Sequence, residues 1–189
     1  MEKRFFQIEN IQTRSAEDNG DLFIEGYFSV YNSIYNVWDG VTESIAPGAF
    51  DESMNGDVRA LFNHNSDLIL GRTTNGTLEL RTDDHGLWGR IKINPNDTDA
   101  MNAYERIARG DVTGCSFGFD IESETRDVSD DGSVHYTINK VNPLFEVSCC
   151  VFPAYEATHI DTRHLSEENI KKREHTEWVE RMKSKLKGE

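Results

Sequence analysis

A chain of 189 residues suffices for one domain and can bury roughly 70% of its unfolded surface; at 37% hydrophobic it has the composition of a folded globular protein. A net charge of −14 argues against a nucleic-acid partner, because binding phosphates needs a basic footprint. No apolar run approaches the ~20 residues of a membrane span, and the opening MEKRFFQIEN turns charged before a signal-peptide core can form, so neither membrane nor export is expected and the predicted location is cytoplasmic.

In chain order, FFQIENIQT and LFIEGYFSVYN alternate well enough to predict two strands joined by the polar stretch 15–21. ESIAPGAFDESM, residues 43–54, breaks that pattern, and Pro47 suits the opening of a short helical turn. VRALFNH and LILGR read as short strands or strand ends. TLELRTDDHGLWGRIKIN predicts a hairpin turning at DDHG. A helix is expected over 98–109, with Ala100, Tyr104, Ile107 and Ala108 on one face. Asp99 suits its first turn, Arg106 and Arg109 its last, and Gly110 its stop. Strands follow at 113–122, at VHYTINKV after the turn SDDGS, and at LFEVSCCVF before Pro153.

From about Ser166 the chain becomes a charged amphipathic helix. Residues 165–189 carry seven Lys/Arg against six Glu, leaving −15 on the preceding 164 residues. The expected organisation is therefore a domain over 1–163 and a helical tail over 164–189. Seven or so short strands with inserted helices predict a mainly β, α+β fold: an antiparallel barrel or sandwich, since a parallel βαβ sheet needs more helices.

Cys115, Cys149 and Cys150 are odd in number and two are adjacent, which points to reduced, buried thiols. The six histidines are dispersed, with no Cys/His spacing for zinc, and no metal or cofactor is expected.

Gly114-Cys115-Ser116-Phe117-Gly118 spells G-x-S-x-G, yet a nucleophile elbow needs a strand before the serine and a helix after it. Here that order is reversed, and the elbow is set aside. Strand alternation puts Phe117, Phe119 and Ile121 on one face and Ser116, Gly118 and Asp120 on the other. Ser116 thus points away from the aromatic core, beside a glycine that permits close backbone approach, while Cys115 points into the core. A serine nucleophile needs a base, usually a neutral histidine oriented by a carboxylate. His64, in the polar segment NHNSD after an apolar strand, is a candidate base. Glu146, opposite Phe145, Val147, Cys149 and Val151 in its strand, is a carboxylate that burial would oblige to find a partner. A surface hydroxyl, a turn histidine and a surface glutamate are the alternatives for each singly.

Together, ESIAPGAF, ALFNHN, GCSFGFDI and LFEVSCCVFPAYEAT resemble the motifs of the caudoviral prohead protease family, itself distantly similar to herpesvirus assemblin. The resemblance runs from about Gly26 to Ala157. It implies an antiparallel β-barrel of the assemblin type and a serine endopeptidase with Ser116 as nucleophile, His64 as general base and Glu146 holding the imidazole. Assemblins use a second histidine in the third place, so His85 and His135 are alternatives, as is Asp67. Oxyanion donors are sought among the N–H groups of Ser116 to Gly118 or of Gly71-Arg72. The implied task is cleavage of scaffold-like segments of the major capsid protein, and of the protease itself, inside the assembling procapsid in the host cytoplasm. The assemblin likeness is compatible with a homodimer, and the tail would tether the enzyme or be trimmed. A catalytically inert β-barrel serving as scaffold or capsid-binding module is the rival from another class.

Overall fold

The computed structural model describes residues 2–6, 11–15 and 21–151, and among them the chain is mainly β with a single α-helix. The strands are β1 (Glu2–Phe6), β2 (Gln12–Ser15), β3 (Leu22–Val30), β4 (Tyr35–Trp38), β5 (Val41–Ile45), β6 (Arg59–Phe62), β7 (Asn65–Arg72), β8 (Leu78–Thr82), β9 (Gly86–Ile93), β10 (Gly114–Val128) and β11 (Val134–Cys150). The helix α1 (Thr98–Ala108) lies between β9 and β10. The expected tail helix and the boundary at 163/164 fall outside the described residues.

The strands form two sheets. One has the order β1-β10-β11-β5-β4, with β6 also on β11 and β7 on β6; the other runs β2-β3-β9-β8. Their inner faces share one core: Ile24, Phe28, Leu87 and Ile91 from the second sheet meet Ile45, Phe117, Phe119, Ile138 and Val147 from the first. Phe50 packs edge-on against Phe117, ring centroids 5.2 Å apart. Removing either ring would cost about 3–5 kcal/mol.

Where the strands lie differs from expectation in several places. The first expected strand is two, β1 beside β10 and β2 beside β3, in different sheets. Glu43 to Ile45 belong to β5, so the turn begins only after them, and residues 53–55 form a single 3-10 turn. VHYTINKV and LFEVSCCVF are one strand, the 17-residue β11, running through Pro143. Nor is the pairing all antiparallel. Val134–Ile138 of β11 pair in parallel with β5, and Glu146–Cys149 pair in parallel with β6. The turn segment between β5 and β6 makes this possible by docking along the middle of β11, with Ala46 N–H on Ile138 C=O and Val141 N–H on Ala49 C=O, both at 2.9 Å. The mainly β expectation holds, and no closed barrel is found among the described residues.

The β8–β9 hairpin and α1 fall where the sequence puts them. Asp97 caps the helix, accepting from the N–H groups of Asp99 (3.0 Å) and Ala100 (3.2 Å), and Asp99 lies in the first turn as expected. Its buried face is Ala100, Ala103 and Ile107; Ala108 is exposed, and Gly110, at φ 85°, follows the helix end.

Candidate active site

Ser116 lies in β10, between β1 and β11. Opposite it on β11 is Ser148, and two residues further along β10 Gly118 faces Glu146. Side chains at paired positions project from the same side of a sheet, with Cβ atoms roughly 4.5–5.5 Å apart. Ser116, Gly118, Ser148 and Glu146 therefore share one face, the one turned away from Phe117, Val147 and Cys115. Alternation in β11 breaks at Phe145. The register moves from Gly118↔Glu146 to Phe119↔Leu144, so Phe145 is a bulge residue and Leu144 fills the core instead.

The face is not open as expected. Ser116 and Ser148 have no exposed surface and Glu146 retains 4%. The alternation of Phe117 and Phe119 assigns a side of the strand, and both sides of β10 are covered here.

His64 reaches this face from the turn between β6 and β7. Phe62 pairs with Asn65, leaving Asn63 and His64 as the two central residues of a tight hairpin turn, both left-handed with φ of 53° and 57°. Positive φ at both centres is the type I′ arrangement that matches strand twist, and Asn and His are among the non-glycine residues that tolerate it. The turn is fastened to the end of β11: Asn63 N–H donates to Cys149 C=O (2.9 Å), Val151 N–H to Asn63 Oδ1 (2.9 Å), and His64 N–H to Ser148 Oγ (3.2 Å). Backbone strain at a functional candidate is thus held by three hydrogen bonds, two with β11 and one with Val151 just beyond it.

So placed, the His64 ring meets Glu146, with Nδ1 2.5 Å from Oε1 and both side chains almost wholly buried. A carboxylate accepts, so Nδ1–H is the donor of this bond, and Nε2 is shielded from solvent. The other carboxylate oxygen, Oε2, accepts the Ser148 hydroxyl at 2.6 Å. Burial of Glu146 is offset by these two donors, the partner that its place in an apolar strand required.

Gly118 explains how the carboxylate fits. A Cβ there would lie 2.5 Å from Glu146 Oε1. What the glycine admits is a carboxylate, rather than the backbone expected.

The alternative third residues are engaged elsewhere. His135 lies in the other half of β11, its Nδ1 2.7 Å from Thr42 Oγ1 and its Nε2 2.9 Å from Ser44 Oγ. His85 packs edge-on against Tyr27 in the β8–β9 turn, and Asp67 is exposed on β7. Of the suggested oxyanion donors, Arg72 N–H donates to Thr77 Oγ1 (2.9 Å), and those of Ser116 to Gly118 lie in β10, which is flanked by strands on both edges. Cys115 is fully buried, and burial pushes its thiol well up, against any thiolate role.

Ser148 escaped the reading of LFEVSCCVF, although its signal was present: it stands two residues from Glu146 on the same strand face, a second polar residue among Val147, Cys149 and Cys150.

Ser116 and the buried Glu146 thus lie on one sheet face, and the turn between β6 and β7 brings His64 onto the carboxylate. The family model described as the caudovirus prohead serine protease matches residues 9–173. The chain belongs to that family. It is similar to the prohead protease of Enterobacteria phage HK97, 29% identical over 140 residues, which are 72% of this chain and 59% of that protein. The chain thus spans about three-fifths of the length of that relative. Among solved structures it is similar to the bacteriophage T4 capsid assembly protease, with a TM-score of 0.47 and 12% identity over 78% of this chain and 95% of the other. No helix among the described residues is long and apolar enough to cross a membrane.

Proposed function

We propose that this chain is a serine endopeptidase that cleaves capsid or scaffold-like protein segments, and its own chain, while a phage procapsid matures. Ser116 is the nucleophile, His64 the general base and Glu146 the carboxylate that holds the imidazole. The observation that carries the reading is the 2.5 Å His64 Nδ1–Glu146 Oε1 contact, buried on the same sheet face as Ser116.

With its Nδ1 proton held by Glu146, His64 offers the Nε2 lone pair to the serine hydroxyl. Ser116 Oγ attacks the scissile carbonyl carbon as its proton passes to Nε2. The imidazolium then protonates the departing amine, and the C–N bond breaks to leave an acyl-serine. Water, deprotonated by the same nitrogen, releases the acid and regenerates the hydroxyl. Glu146 stabilises the imidazolium in both halves without itself taking the proton. The major capsid protein and its scaffold-like segment are the expected partners, met within the procapsid.

The complete burial of Ser116 favours the second reading, a non-catalytic β module that binds capsid protein. Co-expression with the capsid protein of the same phage separates the two. The protease reading expects Ser116→Ala to fold and leave the capsid protein uncleaved; the binding-module reading expects processing to continue unchanged.

A further inference from the structure

Ser148 has no exposed surface, stands directly opposite Ser116, and is bonded on both sides to groups of the proposed site. Its hydroxyl donates to Glu146 Oε2 at 2.6 Å and accepts the backbone N–H of His64 at 3.2 Å. A hydroxyl has one proton to give and lone pairs to receive, so a single side chain joins the carboxylate to the strained turn carrying the base. We infer that Ser148 is a positioning residue of the cleavage reaction, acting through Glu146 and His64; the inference rests on the catalytic reading of those two residues.

The geometry divides the work between the two oxygens of Glu146. Oε1 faces the imidazole across 2.5 Å and Oε2 faces Ser148, while the backbone of Gly118 leaves the carboxylate its space. A carboxylate held at one oxygen alone can rotate about its last torsion, which is broad and soft. The Ser148 hydroxyl supplies the second point and fixes the plane in which Oε1 meets Nδ1. Its other bond restrains His64, whose φ of 57° is a conformation the chain adopts only where its surroundings impose it. Supporting hydrogen bonds of this kind hold a reacting group in its productive orientation.

The test follows the single-turnover rate of capsid-protein cleavage by the full chain. Ser148→Ala lowers that rate roughly tenfold to a hundredfold, the worth of a hydrogen bond to a charged group. Ser148→Thr, which keeps the hydroxyl, restores it to within about fivefold of the parent on the same basis. In a Glu146→Gln background, Ser148→Ala lowers the rate less than about threefold further, because residues acting as one unit are not additive. Should the alanine variant fold poorly, Ser148→Cys, close in size and a weak donor, carries the same expectation. The inference is overturned by a Ser148→Ala or Ser148→Cys enzyme that cleaves like the parent. It is overturned equally if the losses from Ser148→Ala and Glu146→Gln multiply, or if Ser148→Thr is as slow as Ser148→Ala. Persistent cleavage by Ser116→Ala would instead sink the catalytic reading, and Ser148's role with it. Failure of the Ser148 variants alone leaves that reading standing.

Discussion

Glu146 occupies the space that a side chain at position 118 would need: a Cβ on Gly118 would come within 2.5 Å of Oε1 and 3.2 Å of the carboxyl carbon. The two residues face each other across β10 and β11, and the carboxylate lies over the glycine to meet His64. Gly118→Ala is therefore expected to push the carboxylate off the imidazole. The outcome is a cleavage rate reduced at least about tenfold, with an overpacking cost of about 1–3 kcal/mol. Urea unfolding and single-turnover cleavage, measured on the same preparation, check both halves.

The turn carrying His64 should be sensitive to its first central residue. Asn63 combines a left-handed backbone with a side-chain acceptor for Val151 N–H. Asn63→Ala loses both, and should destabilise the protein by about 1–3 kcal/mol. Asn63→Gly keeps the backbone freedom, so it should cost less than alanine and retain more activity. Denaturant titration of the two variants gives the order; alanine equal to or better than glycine would contradict the account.

These two relationships show what could be read in the residues and what could not. Alternation in GCSFGFDI separates Ser116 and Gly118 from Phe117 and Phe119, and the lone carboxylate in LFEVSCCVF asks for a partner. Both follow from the period of a strand and the cost of burying charge. Alternation names a side of a strand but not what covers it, so the burial of Ser116 was not legible. Neither was the parallel pairing of β6 with β11. It brings His64 to Glu146 across 82 positions of chain and depends on the turn segment wedged against β11. The fusion of two expected strands into β11 was masked by Pro143, which ordinarily argues against a central strand. The bulge at Phe145 then hid Leu144 from the core pattern.

The three thiols should be inert while the protein is folded. Cys115, Cys149 and Cys150 are buried, and burial raises the thiols of Cys115 and Cys149 far above their ordinary value. Ellman's reagent at pH 8 should report no fast-reacting thiol in the native protein and three after denaturation, and iodoacetamide should leave cleavage unimpaired. Inactivation by alkylation of folded enzyme would count against a serine nucleophile.

Asp57 gives an acid-range signature distant in kind from the proposed catalytic groups. It receives two hydrogen bonds from Arg72, both 2.6 Å, and one from Arg59, 3.1 Å, which lower its carboxyl from 3.8 to about 2. A depressed folded-state value means that the associated stability is present above about 3.8 and is lost as the pH falls through about 2. The carboxyl carbon resonance of Asp57 should titrate with a midpoint of about 2 in the folded protein, and Asp57→Asn should flatten that part of the pH–stability curve. A midpoint near the ordinary value of about 4 would contradict the fork seen here.

The central claim is that Ser116 is the nucleophile activated by His64. Incubating the full chain with a fluorophosphonate and mapping the adduct by peptide mass spectrometry addresses it most directly. The account predicts a single phosphonylated residue, Ser116, with labelling abolished in His64→Ala and cleavage of the capsid protein lost in step. An enzyme that loses cleavage while Ser116 stays unmodified and another residue carries the label would contradict it.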